Sequence, residues 1–215
     1  MVEKGNNNNY QMPQGKYESL LSAGTKEFAM HPYAEASTER ITKESGISKG
    51  LLFHYFGSKS QFYLCCLRES MELLMSGEDT DMNAQDFYGV LFGTMSQKMS
   101  LCRAYPLQTR LVNIASKESA VEIAQQKNMI LMEYGKTMQE RSAMILTKAI
   151  NNLAIKNPTD PFVAKGLELY TRSIVNMYLQ MYQNTPEMFF ENEAQIQEQM
   201  RHYIDLMLDG IRERR

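Results

Sequence analysis

Tryptophan is absent from these 215 residues, cysteine occurs three times and proline six, and the formal net charge is only −2. Cys65 and Cys66 are adjacent and Cys102 stands alone, a spacing that fits neither a zinc site nor a disulfide framework. Three reduced thiols in helix packing are expected, with a redox role for the vicinal pair as the lesser option. His31, His54 and His202 lie far apart and form no ligand pair, so no metal and no cofactor is expected. There is no Gly-rich phosphate loop and no His, nucleophile and acid set that spacing can assemble, so no catalytic residue is assigned. No apolar run reaches the ~18 to 20 residues of a membrane span, and the stretch from Met1 to Asn9 carries no apolar segment. The expected location is the cytoplasm.

Near-neutral charge excludes a chain that holds nucleic acid by bulk electrostatics, because each neutralised phosphate requires a Lys or Arg. Any such contact must be local. Between Gln14 and Phe62, Lys16, Lys26, Arg40, Lys43, Lys49 and Lys59 face Glu18, Glu27, Glu35, Glu39 and Glu44, which is enough only if the cations share one surface. What the chain has in quantity is Met, 17 residues, and Tyr, 12 residues. A Met-rich interior is flexible and polarizable, easier to reshape around apolar guests than one of Leu and Val.

Helical periodicity runs through almost the whole chain, with no alternating strand and no internal repeat. Tyr17, Leu20, Leu21, Gly24 and Phe28 form one apolar stripe, and Pro32 ends that helix because the residue before proline is pushed out of the α region. Ser37 or Thr38 caps a second helix that Gly46 stops; Ser48 caps a third, to about Tyr55; Gly57 and Ser58 break it and start a fourth, to about Ser76. The acid cluster after Gly77 reads as a loop. Further helices are expected over 86–101, 106–115 and 119–153. Another runs from Pro161, capped by Asp160, to Tyr182, and a last one follows Pro186. The fold class is all-α. The expected divisions are a flexible arm over 1–12, a helix-turn-helix domain over 13–57, a connecting helix over 58–76 and a larger helical ligand-binding and dimerisation domain over 77–215.

Ile41 and Ile47 bracket Gly46, with Leu52 and Phe56 one and two turns on, so two short helices can cross over a small core. The surface left over carries Ser48, Lys49, Gly50, Leu51, Phe53, His54 and Tyr55, and the helix start at Ser48 adds free N–H groups for a phosphate oxygen. By spacing alone, an ordinary αα-hairpin and a DNA reader fit equally well.

The wording says more than the spacing. Ile47-Ser48-Lys49-Gly50, the aromatic run ending in Phe56 and Ser58-Lys59 before the next helix closely resemble the N-terminal signature of the TetR family of bacterial transcription regulators, from about Tyr17 to Leu67. The resemblance implies a homodimer with a three-helix DNA-binding domain joined by a fourth helix to a variable, ligand-binding helical domain. Lys49 and Gly50 fall where family members approach base edges; Thr38, Ser48, His54, Tyr55 and Lys59 fall at phosphate positions. Phe53 stands where Tyr is usual and Leu51 where a polar base reader is frequent, leaving Leu51 a thymine methyl at most. Thr42 and Ser45 replace small Ala positions.

In the second half, Phe92, Met95, Met99, Leu111, Tyr134, Met138 and Arg141 are expected on inward faces, joined by Tyr170 and Met177 as candidates for a ligand cavity with Arg141 or Tyr134 as polar anchor. Tyr170, Ile174, Met181, Ile196, Met200, Tyr203, Met207 and Ile211 are the dimer-interface candidates, on two helices that suit an isologous four-helix bundle. The expected function is a ligand-responsive DNA-binding regulator, a repressor released from a double-stranded operator by a small, largely apolar molecule. The alternative is a helical adaptor without sequence-specific DNA binding.

Overall fold

A computed structural model describes residues 12–76, 86–151, 153 and 160–211. Most of the expected arm, the acidic segment after Gly77, the Asn157-Pro158 signal and the Ile211 side chain lie outside the described residues. Among those described, ten helices and no strand are present. They are α1 (Gln14–Met30), α2 (Thr38–Ser45), α3 (Lys49–Phe56), α4 (Lys59–Ser76), α5 (Phe87–Ala104), α6 (Pro106–Lys117), α7 (Val121–Asn151), α8 (Pro161–Tyr182), α9 (Pro186–Glu191) and α10 (Glu193–Ile211).

The helix ends follow local chemistry. Ahead of Pro32, His31 turns to extended backbone (φ −133°, ψ 141°). Ser37 Oγ accepts from the Arg40 N–H at 3.3 Å and starts α2. Gly46 closes it in the left-handed region at φ 69°, and the next N–H, of Ile47, returns to the Thr42 carbonyl at 3.2 Å. A side chain there would be strained, as it would at Gly57 (φ 76°), which ends α3. Asp86 and Asp160 cap α5 and α8, with Pro161 at the first helical position.

Two apolar cores result. The first gathers Leu20, Phe28, Ile41, Leu52, Phe62 and Leu67 from α1 to α4, and continues into Leu111 and Ala115 of α6 and Ile123 and Ile130 of α7. The second joins α5, the last turns of α7, α8, α9 and α10. Between Gly24 and Phe62 the first core is tight. A Cβ at Gly24 would lie 2.6 Å from two Phe62 ring carbons and 2.8 Å from the Cys66 sulfur, so only glycine lets α1 and α4 approach this closely.

The final helix differs from its expected form. Asn192 breaks it, its backbone leaving helical geometry (φ −114°, ψ 13°) while its side chain donates to the Met188 carbonyl at 2.8 Å. The break swings Phe189 into the second core, where it is 1 % exposed and packs against Tyr182 and Phe190.

Candidate nucleic-acid interface and ligand cavity

The orientation of α2 on α1 is set by a buried carboxylate. Glu27, on α1, accepts from the Ser37 N–H at 2.8 Å and from the Arg40 guanidinium, whose Nε reaches both oxygens at 2.9 and 3.1 Å and whose Nη2 makes a further short contact. Arg40 also donates to the Glu35 carbonyl at 3.0 Å. Burial pulls the Glu27 carboxyl up, but the Arg40 and Ser37 hydrogen bonds and the charges of Arg40 and His31 outweigh it, leaving the group below the ordinary carboxylate value of 4.5. A lowered folded value means the stabilisation is full above that ordinary value and fades as pH falls through the folded one. Glu27→Gln is therefore expected to cost about 1.5 to 3 kcal/mol at neutral pH, the range for a hydrogen bond to a charged group. The gap to wild type should close by about pH 3 in denaturant titrations. A gap that stays constant with pH would rule out the charge as its source.

On that frame α3 presents an outward stripe. Ser48 caps it by accepting from the Leu51 N–H at 3.2 Å, and Ser48, Lys49, Gly50 and His54 are exposed. A Cβ at Gly50 would meet nothing, so this glycine leaves open approach rather than relieving a clash. Lys49 pairs with Glu39 of α2 and has its ammonium 6.0 Å from the Phe53 ring centre. The Lys49 hydrogen bond, with those of the backbone and Ser37 and the Lys49 charge, lowers the Glu39 carboxyl to about 2. Tyr55 is half-buried and meets His54 edge-on at 5.1 Å. Leu51 and Phe53 are half-buried against the first core, and Thr38 is buried, with its hydroxyl 3.4 Å from Glu39 Oε2. Lys59 lies over the Tyr33 ring at 4.7 Å and reaches the Ala34 carbonyl at 3.5 Å.

Tyr33 ties this domain to the corner between α6 and α7. Its N–H donates to Glu118 and its hydroxyl to Glu122, each at 2.9 Å. Burial and then the Glu122 hydrogen bond raise the phenol to about 12, so it remains a donor at neutral pH. The cysteines carry no comparable chemistry. Burial pushes Cys65, Cys66 and Cys102 above the ordinary thiol value, which disfavours the reactive thiolate.

A cavity of about 570 Å³ lies between α4, α5, α6, α7 and α8. Met71, Leu74 and Met75 line it from α4, Lys98, Met99, Leu101 and Cys102 from α5, and Thr109, Val112 and Asn113 from α6. Gly135, Met138, Gln139 and Ser142 of α7 and Arg172, Asn176, Leu179 and Gln180 of α8 close it. Of the sequence candidates, Met99 and Met138 line this space. Phe92 and Met95 are buried in the second core and Leu111 in the first. Tyr134 donates to Glu72 at 2.8 Å and Arg141 to the Met75 carbonyl at 3.3 Å, both fastening α7 to α4 beside the cavity. Tyr170 and Met177 face outward, at 38 % and 45 % exposure. The polar wall of α8 was readable, since Arg172, Asn176, Gln180 and Gln183 recur at helical spacing, but a polar stripe reads first as solvent-facing.

A family model described as bacterial regulatory proteins, tetR family, matches residues 20–65, the stretch from α1 into α4 that carries the helix-turn-helix. The chain belongs to the TetR family. The HTH-type transcriptional repressor AcnR of Corynebacterium efficiens is 33% identical over 57 residues, 26% of this chain and 30% of that protein. The match thus spans under a third of that relative's length. The fatty acid metabolism regulator protein of Bacillus subtilis is 22% identical over 153 residues, 71% of this chain and 77% of its own. In fold, a transcriptional regulator from Rhodococcus sp. Rha1 superposes with TM-score 0.61 at 18% identity, over 94% of this chain and all of that one. The TetR family is one of transcription regulators rather than an enzyme class. No helix among the described residues of this TetR-family chain is long and apolar enough to cross a membrane.

Proposed function

We propose that the chain is a ligand-responsive DNA-binding transcriptional regulator of the bacterial cytoplasm, a repressor that a small molecule releases from its operator and that works by binding, not catalysis. One observation carries this reading: α4 follows directly on the helix-turn-helix and also lines the cavity with Met71, Leu74 and Met75. A guest that wedges α4 moves the base on which α3 stands. To release DNA it must favour the non-binding arrangement by a few kcal/mol, since equal affinity for both states shifts nothing.

DNA contacts are assigned to Lys49 and Gly50 at base edges and to Ser48, His54, Tyr55 and Lys59 at phosphates. Thr38, Leu51 and Phe53, drawn inward, support the helices that carry them. A single short recognition helix reads few bases, so the working unit is a homodimer with half-sites about 34–36 Å apart. The exposed apolar residues of α8 and α10 suit its interface: Leu169, Tyr170, Met177, Met181, Tyr203 and Leu206. Ile174, Ile196 and Met200 are buried within the protomer's own core and Met207 packs against it, so these belong beneath that face. Gel shifts on DNA upstream of the chain's own gene are expected to show one retarded species, with footprints on two half-sites. No binding there, nor to any sequence in a random-site selection, would sink the proposal.

A further inference from the structure

We infer that the cavity takes an organic anion, a carboxylate carried on an apolar body. The inference rests on the regulator reading for its effect on DNA, but head-group preference belongs to the cavity alone. Lys98 of α5 and Arg172 of α8 line it together with Ser142 and Asn176, and the same four residues line a smaller recess bounded by Leu91, Ile145 and Leu146. Two cations thus stand at the waist between two largely apolar spaces. Among the described residues no Asp or Glu lines either space.

The charge nearby does not cancel them. Glu168, buried on α8 behind the wall, gives one oxygen to Lys165 at 2.5 Å. Its other oxygen lies 3.3 Å from Arg172 Nη1 and accepts no hydrogen bond. One carboxylate therefore serves two cations, and the Arg172 guanidinium keeps its donor fork for another partner. Lys98 Nζ lies 3.4 Å from Ser142 Oγ, a neutral partner that leaves its charge in place. A guest carboxylate matches the guanidinium fork and gains charge-assisted hydrogen bonds in a poorly solvated site. A guest ammonium meets two like charges at short range, and a neutral hydroxyl leaves both unsatisfied. Met71, Met75, Met99 and Leu179 supply adaptable apolar walls for the body.

Calorimetric titration of the full chain with decanoate, decanol and decylamine tests this. Decanoate is expected to bind at least about tenfold more tightly than either control, and Arg172→Gln to weaken decanoate by about tenfold or more while leaving decanol unchanged. Lys98→Met removes a cation without touching Glu168 and decides the matter if Arg172→Gln does not fold. Equal or tighter binding of decanol or decylamine, no binding of any of the three, or decanoate affinity unchanged in the folded variants overturns the inference. Decanoate preference in a chain that binds no DNA would instead overturn the regulator reading and leave the ligand class standing.

Discussion

Replacing Phe62 with alanine is expected to destabilise the chain by about 3 to 5 kcal/mol, the range for emptying a fully buried phenylalanine site. Phe62 is fully buried, with its ring centre 4.6 Å from that of Phe56 and 6.0 Å from that of Phe28, so α1, α3 and α4 all rest on it. Against a typical total of roughly 5 to 15 kcal/mol, the loss removes a large share of the protein's stability. Urea titration should show a lower midpoint at unchanged slope; a loss under about 1 kcal/mol would mean that neighbours refill the space. The Gly24 approach gives an internal control. Gly24→Ala alone should be destabilising because the new methyl meets the Phe62 ring, yet in the Phe62→Ala background that clash is gone. The two substitutions are therefore expected to be strongly non-additive.

The second large effect is on DNA. Joint replacement of Lys49 and Tyr55 by alanine should lower operator affinity by a factor of about 100 or more, since one specific base contact is worth about 1 to 3 kcal/mol and a two-fold dimer loses it twice. Sedimentation should show the dimer unchanged, because α8 and α10 lie far along the chain from α3. If affinity survives in the folded variant, the outward stripe of α3 is not the reading surface and the adaptor alternative gains ground. Lys49→Ala by itself should also relax sequence preference, whereas Tyr55→Ala should weaken all sequences alike, as a phosphate contact does.

Much of the N-terminal half was legible because its breaks are chemical. Pro32, Gly46, Ser48 and Gly57 each act on their own backbone, so their effect does not depend on what lies across the fold. The second half was harder because its information is tertiary. An apolar stripe announces that a face is covered without naming what covers it; Ile174, Ile196 and Met200 read as interface and turned out to be core. Leu111 read as cavity wall, yet it sits in the first core because α6 packs against α1 and α4. Polar residues misled in the opposite sense. Lys98, Asn176 and Arg172 carry the side chains that a helical pattern assigns to water, and only the packing of five helices around one space turns them inward. Asn192 stopped a helix without Gly or Pro, a weak signal that the pull of Phe189 toward the core decides.

The ion pair between Lys49 and Glu39 changes how the free protein meets its target. On a surface of near-neutral charge, the one cation placed to enter the groove already has an intramolecular occupant, and its carboxylate stays ionised at any physiological pH. Docking is thus an exchange: the groove must outbid Glu39, and Glu39, once deserted, recruits a cation from solution. Part of the counterion release that drives association is handed back, which makes the complex less sensitive to salt than its phosphate contacts alone would imply. The same resident partner makes chance encounters with unrelated DNA weaker, so Glu39 acts as a filter on where the lysine is willing to let go.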